Sequence, residues 1–344
     1  MASCWRDLLD IGTDVRVVAI DQFKSDPSAP NFDASILGDV PHETISVDTA
    51  NDGQAIERIV DDFNPDVIAL GGWMFSGYSA LLRSKRLRET PIILCSDNPY
   101  RGDWRQRIGY WKVRSLLKRA DRVAVPGARG VKLMRFWNVP QAKIRTGLYG
   151  INYEQIAASA NDRDISDWPK RFLYIGRMDD RKGVDRLLKG YQKYRDQVSE
   201  PWQLRCIGKG TYESQALATE GVVHTQKLPP EAIPAEMAAA GCFVICSRYD
   251  CWPLVIAEAC SAGLPVIATP ECGSTAELLN NGENGLLLNL NSTATDIAAA
   301  MNRIHQMSAA KLNEWGHTGQ SLAAPFSSSS WADRWQKIIT ELSS

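Results

Sequence analysis

The sequence predicts an α/β protein built from two similar units, each a parallel sheet with helices on both faces. Three observations predict it. Short apolar runs rich in Val, Ile and Phe alternate with stretches of helical periodicity along most of the chain. Several of these runs end at glycine pairs or glycine-led turns, as at Gly71-Gly72, Gly176 and Gly208. A polar stretch at residues 156–169, holding Asn161-Asp162-Arg163-Asp164 and Trp168-Pro169, interrupts the alternation and reads as a linker. The expected division is residues 1–160, residues 161–328, and a C-terminal helix at 329–344 that crosses back to the first unit.

In the first unit, residues 3–11 read as a helix and 15–20 as a strand. Residues 24–43 are polar, with Pro27, Pro30 and Pro41, and read as an irregular loop, with a short strand at 44–47. Residues 54–63 form a helix through Ile56, Ile59, Val60 and Phe63 at helical spacing. Strands follow at 66–70, 91–95, 122–125 and 143–146. Helices stand between them at 78–88, 105–119 and 131–137. In the second unit the expected strands are 171–175, 202–207, 222–225, 241–246 and 264–269. The expected helices are 183–195, 233–240, a short one entered at Pro253, one begun by Gly273-Ser274-Thr275, and 295–307. Residues 331–342 close the chain as an amphipathic helix through Trp331, Trp335, Ile338, Ile339 and Leu342.

The chain has 344 residues, enough for two cores, a net charge of −1 and 44% hydrophobic residues, all ordinary for a globular protein. No run of about 18 apolar residues occurs, so no membrane-spanning helix is expected, and the start shows no apolar leader core. A cytoplasmic protein is expected. Its eight cysteines include no CxxC pair and several lie in apolar strands, so reduced buried thiols are expected and no metal site.

The most informative stretch is 247–288, SRYDCWPLVIAEACSAGLPVIATPECGSTAELLNNGENGLLL. Asp250 falls in the turn leaving a strand. Pro253 suits a first helical turn, so Glu258 sits on the helix. At about 1.5 Å per residue, the two carboxylates reach different ends of one elongated ligand. Gly273-Ser274-Thr275 opens the next helix, where free N–H groups favour an anion such as a phosphate. In any such sheet most acids are merely solvated. Here both acids and the glycine-led turn stand at the carboxyl ends of neighbouring strands, where these sheets bind ligands. After the strand at 171–175 come Gly176-Arg177 and then Lys182-Gly183 at a helix start. Glycine permits the tight turn, and Arg and Lys offer donors to a pyrophosphate. The spacing is neither that of a Walker A loop nor GxGxxG. Gly208-Lys209-Gly210 adds a third glycine turn at a strand end.

Taken together, FLYIGRMDDRKGVDRLLKGY at 172–191, CIGKG at 206–210 and the stretch 247–288 resemble the C-terminal domain of the retaining family 4 glycosyltransferases. The resemblance covers about residues 165–290 strongly. It extends loosely into the first half through DRVAVPGARGVKLMRFWNVPQAKIRTGLYGIN. It implies the GT-B fold, two Rossmann-like doubly wound parallel-sheet domains facing an interdomain cleft. The activity implied is transfer of a hexose-type sugar from a nucleotide-diphosphate donor, UDP- or GDP-linked, with retention and without an obligate metal or cofactor. The acceptor class implied is a glycan, a lipid-linked sugar or a small molecule.

The resemblance also implies roles. Arg177 and Lys182 would hold and neutralise the departing diphosphate, with Gly176, Gly208 and Lys209 around it. Glu258 would bind the ribose hydroxyls and Asp250 those of the donor sugar. Asp250 stands where the family usually has Glu, one methylene longer. Backbone from Trp252 to Leu254 would line the sugar pocket, although Pro253 has no N–H. Gly273, Ser274 and Thr275 would sit near sugar and phosphate, and Leu228 by the base.

Two departures from the family pattern stand out. Relatives begin with a strand and a glycine-rich loop, whereas this chain begins in what reads as the first helix, so the first strand is expected to be missing. Where relatives place a His facing the cleft, this chain has LCSDNP at 94–99. Asp97 there is a candidate acceptor contact or proton relay, or else a turn residue. None of the four His falls on a motif.

Charge is uneven. Residues 83–145 hold 17 Lys/Arg against 4 Asp/Glu. That excess fits docking on anionic lipid headgroups at the inner membrane face, an acidic acceptor, or a solvated basic face. No aromatic platform or recognition motif for nucleic acid accompanies it. Other readings of the whole chain are a non-catalytic sugar-nucleotide binder and a nucleotide-sugar epimerase of the same fold.

Overall fold

The computed structural model describes residues 1–21, 34–160 and 163–343. The chain divides into two compact units, Met1–Gly150 with Ser328–Ser344, and Ile151–Ser327.

Unit 1 begins with α1 (Ala2–Asp10), β1 (Val17–Asp21), β2 (His42–Ser46), α2 (Val47–Asn51) and α3 (Gly53–Phe63). It continues through β3 (Ile68–Leu70), α4 (Ser76–Leu81), β4 (Ile92–Cys95), α5 (Trp104–Arg119), β5 (Arg122–Val125), α6 (Ala128–Phe136) and β6 (Ile144–Thr146). Of the loop expected at 24–43, residues 22–33 lie outside the described residues. Residues 34–37 form a short 3-10 turn, and the strand starts two residues earlier than expected, at His42.

One parallel sheet was expected here, and two are found among the described residues. β1 pairs with β2 in parallel, Val17 opposite His42 to Asp21 opposite Ser46. A separate parallel sheet runs β3-β4-β5-β6. The burial records the split. All five residues of β1 are half-exposed despite their apolar sequence, whereas Ile92, Ile93 and Leu94 of β4 are fully buried between two neighbours. The helix expected over 78–88 stops at Leu81. Beyond it only Leu82 and Leu87 of residues 82–88 are buried, so five polar residues there would gain nothing from a packed helical face.

The core of this unit has two parts. Ile92, Leu94, Val113, Leu116, Val123, Val125 and Leu133 centre one. The other joins Cys4 and Leu8 of α1 to Ile93, Ala124, Leu148, Trp331 and Trp335. The last two belong to α15 (Ser328–Ser343), the C-terminal helix, which packs on α1. Trp331 and Trp335, one turn apart, stack at 4.9 Å, and Trp5 meets Trp331 edge-on at 4.9 Å. The Trp331 indole donates to the Leu148 carbonyl at 3.0 Å.

Unit 2 holds α7 (Tyr153–Ala160), β7 (Arg171–Ile175), α8 (Val184–Arg195), β8 (Gln203–Ile207), α9 (Glu213–Ala218), β9 (Val222–Thr225) and α10 (Ile233–Ala238). Then come β10 (Cys242–Ile245), α11 (Leu254–Ser261), β11 (Val266–Ala268), α12 (Thr275–Leu278), β12 (Gly285–Leu287), α13 (Ala294–His305) and α14 (Ala309–Ala323). The first part of the expected linker is helix α7, because Ile156 and Ala160 lie one turn apart and are buried where α7 packs on α10 and α11. Helix α14, at Ala309–Ala323, was not assigned from the sequence, and it carries two glycines, Gly316 and Gly319. Both are buried beside Leu312 and Trp315 on its packed face.

The six strands are all parallel, in the order β12-β11-β10-β7-β8-β9. Counting from β7, the chain adds β8 and β9 on one side, then returns to add β10, β11 and β12 on the other. This is the doubly wound order, with its switch point between β7 and β10. Right-handed crossovers in opposite directions put α8 and α11 on opposite faces. α8 packs on α13, and α11 packs on α7 and α14.

Candidate active site

The candidate residues of unit 2 leave the carboxyl ends of five neighbouring strands. Because the strands are parallel, those ends share one edge of the sheet. Gly176, Arg177 and Lys182 follow β7, Gly208 and Lys209 follow β8, and Leu228 follows β9. Asp250, Trp252, Leu254 and Glu258 follow β10, and Gly273, Ser274 and Thr275 follow β11.

Glycine makes this edge tight. Gly208 has φ +147, and a Cβ there would lie 1.8 Å from the Gly176 carbonyl oxygen. At the other end of the same loop Gly183 is left-handed at φ +68, and a Cβ would lie 1.9 Å from the Cys246 carbonyl oxygen. The first contact seats the β7 loop on β8; the second seats the start of α8 against the end of β10.

Between these anchors the loop is held by its own acid. The Asp179 carboxylate accepts the Lys182 N–H at 2.9 Å and pairs with the Arg177 guanidinium at 2.7 Å. The Tyr174 hydroxyl donates to the Arg177 carbonyl at 2.6 Å. Arg177 keeps 48% of its side chain exposed. Lys182 is mostly buried, with 14% exposure, and its ammonium forms an ion pair with the Asp250 carboxylate, itself 12% exposed. This pair spans the β7/β10 switch point. Arg186 ties the same two elements, donating to the Cys246 and Ser247 carbonyls at 2.8 Å each.

Pro253 stands just before α11, and Leu254 is the first helical residue. Glu258 sits on the second turn of the helix. It is half-buried, and among the described residues its carboxylate makes no hydrogen bond or ion pair. Burial lifts its carboxyl above the usual range. Trp252 is buried, donates its indole N–H to Glu277 at 3.1 Å and packs on Phe326 at 5.1 Å.

The turn at Gly273-Ser274-Thr275 differs from expectation. The helix it begins is a single turn, Thr275–Leu278. The Gly273 and Thr275 N–H groups are not free: they donate to the Asp250 and Cys272 carbonyls at 2.9 and 3.2 Å. The buried Ser274 and Thr275 hydroxyls donate to the Pro253 and Cys272 carbonyls at 3.1 and 2.7 Å. The turn braces the Asp250 loop, and so short a helix has little dipole to offer an anion. Lys209 is exposed and Leu228 half-buried, neither touching the other candidates in a polar contact.

Asp97 lies in unit 1, exposed after β4, where it accepts a hydrogen bond from the Tyr149 hydroxyl at 3.4 Å. It lines a cavity of about 730 Å³ at the carboxyl ends of β3 and β4, with Gly71, Gly72, Trp73 and Ser96.

Sequence reasoning missed the supports. Arg248 forms a two-bonded pair with Asp185 at 2.6 and 2.7 Å and donates to the Asp180 carbonyl at 2.7 Å, locking the β10 loop to α8. Asp179 and Glu277 likewise brace Lys182 and Trp252. The adjacency of Asp179 to Arg177 was the one available signal. Among the described residues no two cysteines form a disulfide, and burial pushes the Cys206 and Cys246 thiols up to about 12, so both stay protonated. Among the described residues no group of three or more His, Cys, Asp or Glu is placed to hold a metal ion, and no helix is long and apolar enough to cross a membrane.

Two family models match the chain, "Glycosyl transferases group 1" over residues 156–321 and "Glycosyl transferase 4-like domain" over residues 6–150. A GDP-mannose-dependent α-mannosyltransferase of Mycobacterium tuberculosis is 26% identical over 243 residues, covering 67% of this chain and 62% of that protein. The O-antigen chain mannosyltransferase B of Escherichia coli is 28% identical over 152 residues, 40% of each. The chain thus spans less than two thirds of these relatives' length. Sucrose-phosphate synthase of Thermosynechococcus elongatus superposes with a TM-score of 0.74 at 19% identity, over 98% of this chain and 91% of that one. HepE of Anabaena, solved with UDP and glucose, superposes with a TM-score of 0.72 at 16% identity, over 98% and 95%. The two parallel-sheet units have the Rossmann-like form of the GT-B fold, and the chain belongs to the family 4 glycosyltransferases.

Proposed function

We propose that the chain transfers a hexose-type sugar from a nucleotide-diphosphate donor to a glycan, lipid-linked or small-molecule acceptor, with retention and without an obligate metal. The observation that carries this is the Lys182–Asp250 pair on the switch point of the unit 2 sheet. A doubly wound sheet binds its ligand at that point, and a mostly buried ammonium there matches a diphosphate. As the sugar C1–oxygen bond breaks, negative charge grows on the departing diphosphate. Lys182 and the half-exposed Arg177 meet that charge already in position. Asp250, relieved of part of its pairing when Lys182 turns to phosphate, accepts hydrogen bonds from donor-sugar hydroxyls. Glu258, with no protein partner among the described residues, accepts from the two ribose hydroxyls. Leu228 packs by the base, and backbone from Trp252 to Leu254 lines the sugar. Asp97 is the candidate acceptor contact or proton relay.

The mannosyltransferase relatives make GDP-mannose the first donor to assay, and UDP-glucose the second. The test is turnover with a panel of acceptors, measured on the wild type and on Lys182→Ala and Glu258→Ala. Loss of turnover in both variants supports the reading; unchanged turnover removes it. A second reading, a sugar-nucleotide binder without transfer, draws on Asp250. Its carboxylate is one methylene shorter than the family's usual Glu and is engaged by Lys182. Thermal stabilisation by a nucleotide sugar with no product on any acceptor would favour it.

A further inference from the structure

We propose that Gln226, its amide held in one orientation by Glu213, reads the donor base and selects one with a ring N–H beside a carbonyl, as in guanine and uracil. The inference rests on the nucleotide-sugar reading above and names the residue that chooses among nucleotides. Gln226 is the first residue after β9. The order β10-β7-β8-β9 sets the end of β9 two strand spacings, about 10 Å, from the end of β7. A diphosphate held at the β7 loop puts its nucleoside within reach of the β9 end, where Leu228 is the contact proposed for the base.

The strand ends around Gln226 are fixed. The Gly208 N–H donates to the Thr225 carbonyl at 2.9 Å, and a ring nitrogen of His224 donates to the Gly208 carbonyl at 2.8 Å. Glu213, the first residue of α9, joins the β8 loop to the end of β9. One carboxylate oxygen accepts the Gly210 N–H at 2.7 Å, and the other accepts the Gln226 side-chain amide at 2.6 Å. The Gly210 N–H, and after it the Gln226 amide, hold this carboxyl below its usual range. At neutral pH it is ionised and can only accept. That decides the amide. A half-turn of the Gln226 amide would set oxygen against oxygen, so Nε2 faces the carboxylate and Oε1 faces away. Gln226 is exposed, and among the described residues its Oε1 and second N–H have no partner.

The side chain therefore offers a fixed acceptor beside a fixed donor. Guanine and uracil each give a ring N–H to Oε1 and take the remaining Nε2 proton on the neighbouring carbonyl. Cytosine and adenine present a bare ring nitrogen beside an amino group. Against this amide they set lone pair to lone pair and N–H to N–H, leaving both groups unpaired. Lys209 and Lys227, exposed at the ends of β8 and β9, carry no side-chain acceptor for a ring N–H.

The test is calorimetric titration of UDP, GDP, CDP and ADP into the whole protein, with inorganic pyrophosphate as the control for the phosphate end. The proteins compared are the wild type, Gln226→Leu and Glu213→Gln. The wild type should bind UDP and GDP at least about tenfold more tightly than CDP and ADP. Gln226→Leu should bring the four affinities together, with pyrophosphate affinity and Tm unchanged because the position is exposed. Glu213→Gln still accepts the Gly210 N–H but can donate as well as accept towards Gln226, so the amide is free to turn. In that variant CDP and ADP should gain roughly tenfold while UDP and GDP keep their affinity. A brace with no part in reading the base would instead weaken all four alike, and that result would overturn the proposal. Tight UDP or GDP binding with the same discrimination in both variants would overturn it and leave the transfer reading standing. A wild type that binds none of the four would overturn both.

Discussion

The Lys182 ammonium and the Asp250 carboxylate are 68 positions apart in sequence and form an ion pair across the β7/β10 switch point, each side chain more than 85% shielded from solvent. Removing one partner leaves the other charged and poorly hydrated, which costs roughly 3 kcal/mol or more. Lys182→Ala and Asp250→Ala should each unfold at lower urea concentration, whereas Lys182→Met/Asp250→Leu should recover most of the loss. Transfer should fall roughly 10²–10³-fold in either single variant. Full stability of both singles would show that the pair is not formed in solution.

Glu258 gives a pH signature. Burial raises its carboxyl in the folded protein, so the unfolded chain ionises it at lower pH than the folded one does. The folded state is therefore favoured by this group below about pH 4.3, the unperturbed value, and loses that contribution as pH rises through the raised folded value. At neutral pH the charge is a burden. Glu258→Gln should raise Tm at pH 7, with the gain fading as pH falls towards 4, while donor binding weakens. A Tm difference independent of pH would contradict the assignment.

Gly183 and Gly109 make an opposed pair. Gly183 is left-handed and presses on the Cys246 carbonyl, so Gly183→Ala should destabilise by about 1–3 kcal/mol or more. Gly109 lies inside α5, where an added Cβ would come only within 3.9 Å of Trp137. Gly109→Ala should stabilise by about 0.5–1 kcal/mol. Thermal denaturation of the two variants checks both signs.

Trp331 is fully buried between Trp5, Trp335 and the Leu148 carbonyl. Trp331→Ala should cost about 3–5 kcal/mol. Hydrogen exchange should show the loss in α1 and α15. Protection unchanged in both helices would mean that α15 is not docked on α1.

Much of unit 2 was legible because its strands are continuous apolar runs between sharp glycine turns. Arg171–Ile175 and Val222–Thr225 lie where periodicity alone puts them. α4 was overread because Arg83 to Arg88 are good helix formers, and only the missing packed face ends the helix at Leu81. α14 was not assigned from the sequence, and its two glycines serve close packing on its buried face. Lys182 and Asp250 were each legible as candidates, but not their contact, which depends on the strand order returning past β7 to place β10 beside it. The split of β1-β2 from β3 was equally beyond reach, since a run of Val, Val and Ala does not state how many neighbours it has.

The central claim is that the carboxyl edge of the unit 2 sheet at β7/β10 cradles a diphosphate. Calorimetric titration of UDP, GDP and the matching nucleosides into the wild type and into Lys182→Ala/Asp250→Ala tests it most directly. The wild type should bind one diphosphate at least tenfold more tightly than its nucleoside, by about 1.4 kcal/mol, and the double variant should lose that gap while retaining nucleoside affinity. A gap of the same size in both proteins would contradict the claim.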